Sequence, residues 1–198
     1  MKVAILTFDG FNELDSFIAA GILNRMKNTG WDVQITSPTP RVTSMNGVEI
    51  TAQQPLEFAN HAEIVLVGSG IYTRDIAEDT SILNQLTLDP TKQFIGAQCS
   101  GALILSALGL LKNLPACTDL TTKPWLQAHS VEVLEQAFYA KGNIATAGGC
   151  LASVYLATWV LSKAVGQEAT KSALHYVAPV GEKATTVDHC LAVVSPYL

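Results

Sequence analysis

Phe94-Ile95-Gly96-Ala97-Gln98-Cys99-Ser100-Gly101-Ala102 is the stretch whose reading decides the fold. Phe94 to Ala97 is a short apolar run of the kind that forms a central buried strand. A helix of small and apolar residues begins at Gly101 and runs towards Leu108, so almost no loop separates it from the strand. A junction that tight demands small residues, and Gly96, Ala97, Ser100, Gly101 and Ala102 supply them. This is the pattern of a nucleophile elbow, with Cys99 in the nucleophile position. The tip of such a turn projects its side chain at the carboxyl edge of the sheet, where open α/β folds hold ligands. A thiol beside a helix N-terminus is expected to have a lowered pKa, which favours the nucleophilic thiolate. The position equally suits a small packed hydrophobe, the commoner fate of free cysteine.

Working outward, Val3 to Phe8 reads as a buried strand ended by Asp9-Gly10. Asn12 can cap a helix, Asp15 falls at the capping-box position, and Leu14, Phe17, Ile18, Gly21, Ile22 and Met26 recur at helical spacing up to Thr29-Gly30. Trp31 to Thr36 is a second strand. Arg41 to Ser44 and Val48 to Thr51 flank Asn46-Gly47, a strong hairpin signal. Ile64 to Val67 is a third buried strand, stopped by Gly68-Ser69-Gly70, and Asp79 to Leu88 reads as a helix. Val131 to Phe138 is expected to form another amphipathic stretch, and Ile144 to Ala147 leads into Gly148-Gly149. An almost wholly apolar helix follows from Leu151 to Ala164, capped by Gly166, and Leu191 to Val194 reads as an edge strand. Apolar strands alternating with helices indicate an α/β fold whose mostly parallel sheet is covered on both faces. With no repeat and no linker, residues 1–198 are expected to form one domain.

Composition narrows the classes of function. Hydrophobic residues make up 48% and charged residues 15%, against roughly 25% charged in typical domains, so much of the chain is expected to be interior. The net charge of −5, with no basic cluster, argues against nucleic acid and anionic membrane surfaces as partners. No apolar run approaches the roughly 18 residues of a membrane span, and the first residues lack a signal-peptide pattern. Cys99, Cys117, Cys150 and Cys190 form no C-x-x-C pair and share no zinc-ligand spacing with His61, His129, His175 and His189. Cys117, Cys150 and Cys190 are therefore read as packed thiols, no metal or cofactor is expected, and a cytoplasmic location with reduced thiols is the simplest reading.

Several motifs, in order, resemble those of the ThiJ/PfpI (DJ-type) superfamily. They are Phe8-Asp9-Gly10-Phe11 followed by Leu14-Asp15, Val67-Gly68-Ser69-Gly70, Ala97-Gln98-Cys99-Ser100-Gly101-Ala102, and Gly142-Asn143-Ile144-Ala145-Thr146-Ala147-Gly148-Gly149. The resemblance implies a flavodoxin-like three-layer sandwich, usually a homodimer, with Cys99 as the functional cysteine. It places Asp15 on the family's acidic residue, which contacts that cysteine from the first helix, and its Leu-Asp context is similar to the isonitrile-hydratase branch. Gly70 and Ser100 would offer backbone N–H groups to a developing anion, with the Ser100 hydroxyl nearby. Two departures stand out. Gly68-Ser69-Gly70 replaces a Pro-Gly-Gly turn, and Asp119 stands where many members carry a histidine. The implied activity is a cysteine-dependent reaction on a small molecule: hydration of an isonitrile to an N-formamide, with Cys99 as nucleophile and Asp15 as acid and base. The alternatives are an oxidation-sensing thiol of a stress protein, and aldehyde chemistry of the glyoxalase or deglycase kind.

Overall fold

The strands are β1 (Lys2–Leu6), β2 (Asp32–Ser37), β3 (Arg41–Thr43), β4 (Glu49–Thr51), β5 (Gln54–Pro55), β6 (Ile64–Val67), β7 (Phe94–Gln98), β8 (Phe138–Lys141) and β9 (Ile144–Ala147). The helices are α1 (Glu13–Leu23), α2 (Thr73–Glu78), α3 (Thr80–Leu83), α4 (Gly101–Ala107), α5 (Lys123–Ala128), α6 (Ser153–Val165), α7 (Gln167–Val177) and α8 (Lys183–Val194). This computed structural model describes residues 1–198. Seven strands form one sheet in the order β5-β2-β1-β6-β7-β9-β8. Every neighbouring pair is parallel except β8–β9. The five central strands, taken in chain order, run 2-1-3-4-5, the doubly wound flavodoxin order. Asn46-Gly47 turns a separate hairpin of β3 and β4.

The strand residues alternate between two cores. Val3, Ile5, Ile64 and Leu66 face α1, α6, α7 and α8, whereas Ala4, Leu6, Val65 and Val67 face α2, α4 and α5. Helices on both faces explain why the central strands read as unbroken apolar runs. On the first face Trp159 of α6 is completely buried, with Phe94 of β7 edge-on at 5.8 Å and Phe138 of β8 at 6.5 Å.

Two expectations fail, and the amphipathic stretch from Val131 to Phe138 resolves into irregular backbone leading to β8. There Ala116 donates its N–H to Glu132 O at 2.9 Å and accepts from Leu134 N at 2.9 Å. That pairing takes up backbone groups a helix would need. Leu191 to Val194 is the end of α8 and not an edge strand, because Val187, Cys190 and Val194 recur at helical spacing and are buried together. Between Asp79 and Leu88 the helix is confined to α3, with Asp79 capping it by accepting from Ser81 N at 2.8 Å.

Trp159→Ala is expected to cost about 3–5 kcal/mol. A lower denaturant midpoint at unchanged slope would register that loss.

Candidate active site

The elbow is built as the sequence demands. Cys99 follows β7 directly with φ at +46°, in the left-handed region, a conformation that costs a non-glycine residue about 1–3 kcal/mol. Two hydrogen bonds hold it there: Cys99 N–H donates to Ala147 O at 2.8 Å, and Thr118 Oγ1 donates to Cys99 O at 2.8 Å. Gly101 lets α4 start hard against the end of β6. A Cβ there would lie 2.6 Å from Gly68 O and 2.7 Å from Val67 O.

Asp15 on α1 is 3% exposed and does not serve a capping box. Asn12 N–H donates instead to Ser69 O at 2.8 Å, while the Asn12 side chain accepts from Leu14 N at 3.0 Å. Asp15 is thereby free to face the cysteine. Its Oδ2 accepts from Ser69 Oγ, and its Oδ1 is buried without a hydrogen-bond partner. Ser69, in the altered glycine turn, is thus the residue that orients the carboxylate. Gly70 N–H donates to Ser100 Oγ at 3.3 Å, and Ser100 Oγ donates to Thr73 Oγ1 at 3.0 Å. An anion bound at the Gly70 N–H would displace the Ser100 hydroxyl from it.

Asp15, Gly70, Cys99 and Ser100 line one cavity of about 410 Å³. Met45, Ile71 and Trp125 give it apolar walls, a lining that suits a small ligand with an apolar substituent. Asp119 also lines it, but its carboxylate accepts from Thr121 N and Thr122 N, both at 2.9 Å, and from Thr122 Oγ1 at 2.7 Å. It shapes its own loop and offers no free base in place of the histidine. His129 lies outside the cavity, its Nδ1 3.4 Å from Ser106 Oγ.

Cys150 also lines the cavity, contrary to its reading as a packed thiol. Its Sγ, Cys99 Sγ and a carboxylate oxygen of Asp15 lie within 4.8 Å of one another. Each sulfur accepts from an amide: Gln98 Nε2 donates to Cys99 Sγ and Asn12 Nδ2 to Cys150 Sγ, both at 3.3 Å. No spacing rule joins residues 15, 99 and 150; only the sheet topology does. Cys117 and Cys190 are buried away from the cavity, as expected.

The expected low thiol pKa is overturned. Burial pushes Cys99 well above the ordinary thiol range, and the Asp15 carboxylate pushes it further, outweighing the Gln98 amide. Cys150 is raised by the same two causes in the same order. Cys99 is 4% exposed, and desolvation of the anion is the largest influence on its thiol. Both causes favour the thiol over the thiolate at Cys99.

The sequence model of the DJ-1/PfpI family matches residues 1–163. Isonitrile hydratase from Pseudomonas putida is 24% identical over 126 residues, 63% of this chain and 55% of that protein. The chain thus spans about half the length of that curated relative. Among solved structures, a ThiJ/PfpI family protein from Pseudomonas syringae matches with a TM-score of 0.78 at 20% identity, over 99% of this chain and 86% of that one. Schizosaccharomyces pombe DJ-1 matches with a TM-score of 0.76 at 16% identity, over 90% of this chain and all 100% of that one.

Because the Asp15 charge raises the Cys99 pKa, Asp15→Asn is expected to lower it and to speed alkylation of Cys99 near neutral pH. Peptide-mapped iodoacetamide labelling against pH checks this; an unmoved profile would show the two groups uncoupled.

Proposed function

We propose, since this chain belongs to the DJ-1/PfpI family, that it is a cysteine-dependent enzyme that adds water to a small isonitrile to give an N-formamide. The observation that carries the reading is the Asp15 carboxylate buried against the Cys99 thiol, in a cavity that offers no histidine. The similarity to isonitrile hydratase agrees with it.

An isonitrile carbon needs a nucleophile and a proton at the same atom, and a neutral thiol beside a carboxylate supplies both. Asp15 takes the thiol proton as Cys99 Sγ attacks the terminal carbon, then delivers that proton to the carbon. The product is a thioimidate, with a new C–S bond and a C–H bond. Asp15 next removes a proton from a water molecule attacking the same carbon. Asp15 passes that proton to the nitrogen; the hydroxyl then gives up its proton by way of Asp15 to the sulfur as the C–S bond breaks, so the N-formamide leaves and the thiol is restored. The N–H groups of Gly70 and Ser100 would stabilise oxygen charge on the tetrahedral carbon. The apolar walls of Met45, Ile71 and Trp125 would hold the substituent on nitrogen.

The alternatives fit less well. Peroxide sensing needs a resting thiolate, which burial and Asp15 oppose at Cys99. Aldehyde chemistry would call for a free base where Asp119 is committed to its own loop. Four free thiols suit a reducing compartment such as the cytoplasm. A homodimer is the proposed assembly: members of the family commonly pair, and α1 leaves Leu14 and Phe17 exposed.

Purified protein incubated with a simple alkyl isonitrile should release the formamide, read by the formyl proton in NMR. Asp15→Asn should cut turnover by about 10²–10⁴-fold even as it speeds alkylation. No formamide from the unaltered protein would overturn the substrate; loss of turnover without faster alkylation would overturn the proton role of Asp15. Leu14→Glu with Phe17→Glu should yield a monomer by sedimentation, and an unchanged mass would exclude α1 from the interface.

A further inference from the structure

We propose that Asp15, Cys99 and Cys150 form a binding site for a thiophilic divalent cation of the zinc type. The claim rests on the geometry of these side chains and is independent of the reading of the reaction.

Three observations converge on it. The two sulfurs and a carboxylate oxygen lie within 4.8 Å of one another. In a tetrahedral zinc site, with Zn–S about 2.3 Å and Zn–O about 2.0–2.2 Å, ligand atoms stand roughly 3.5–3.8 Å apart, so the side chains need close in by only about 1 Å. Asp15 Oδ1 is buried without a hydrogen-bond partner, on a residue 3% exposed. A buried acceptor of that kind calls for a partner, and a cation held by both neighbouring sulfurs supplies one. Finally, the amides of Gln98 and Asn12 already donate to the two sulfurs. Donation to sulfur is what metal-bound thiolates receive from their surroundings. The Gln98 amide is fixed in this orientation, because its Nε2 also donates to Gly149 O at 2.7 Å.

Ligand chemistry selects the ion. Two sulfurs and one carboxylate oxygen suit a thiophilic divalent cation, which binds the sulfurs as thiolates and so releases the thiol protons. The hard cations magnesium and calcium prefer all-oxygen ligands. The fourth position opens on the cavity, where water or an added ligand completes the tetrahedron. Bound there, the cation covers the Cys99 sulfur and blocks its attack on any electrophile.

The test is titration of the metal-free protein with Zn(II) against a chromophoric chelator, with Cd(II) as an ultraviolet probe of sulfur ligation. One ion per chain, close to two protons released near neutral pH, and a sulfur-to-cadmium charge-transfer band are expected. Cys150→Val should weaken Zn(II) binding by about 100-fold or more and Asp15→Asn by about 10-fold, with Cys117→Ala unchanged. Circular dichroism and the thermal midpoint identify variants that remain folded, and Zn(II) should raise the midpoint of the unaltered protein but not of Cys150→Val. Unaltered affinity in folded Cys150→Val, or Cd(II) bound without the charge-transfer band, would overturn the site. Zn(II) binding as expected with isonitriles left untouched would keep this site and remove the hydratase reading.

Discussion

The left-handed backbone at Cys99 is the constraint on which the rest of the site depends. The tight elbow between β7 and α4 turns on one residue in the left-handed region, and here that residue is a cysteine at φ +46°. The surroundings over-determine it. Ala147 O and Thr118 Oγ1 fix its peptide groups, and Gly101 brings α4 close to the end of β6. The strain is sustained by the packing of three neighbouring segments, and in return the sulfur is presented at the carboxyl edge of the sheet.

The fold was legible to the extent that burial on two faces writes itself into composition. Ile64 to Val67 and Phe94 to Ala97 have no polar alternation because helices cover both sides, and the structure places β6 and β7 there. Where the reading failed or stayed coarse, a local pattern had two readings. The apolar residues from Val131 to Phe138 suit an amphipathic helix, yet the backbone pairs with Ala116, a partner 16 and 18 residues away that no periodicity reveals. Leu191 to Val194 is too short a run to separate strand from helix until Val187 and Cys190 are seen to share its face.

At the site, Cys99 could be found because its signal is local, and Asp15 because the family motif carries it. Cys150 could not: it meets Cys99 only across β7 and β9, after the Gly148-Gly149 turn that follows β9. Ser69 reads as a turn residue, and its hydroxyl acquires a role only when α1 brings Asp15 to it. The direction of the Cys99 pKa is hidden from the sequence for a related reason. Proximity to a helix start is visible in sequence, whereas the depth of burial and the sign of the nearest charge are properties of the assembled fold.

The two margins of the sheet have a consequence of their own. One margin is β5, two residues long and ending in Pro55, which has no N–H to offer; the other is β8, four residues long and set against the direction of its neighbour. Short margins of this kind are poor templates for another strand. Growth of the sheet from chain to chain is thus discouraged at both ends, and contact between copies is steered to the helical faces. There α1 keeps Leu14 and Phe17 exposed and α7 keeps Tyr176 and Val177, and an association through such faces would stop at a closed, countable assembly without running on into a fibre.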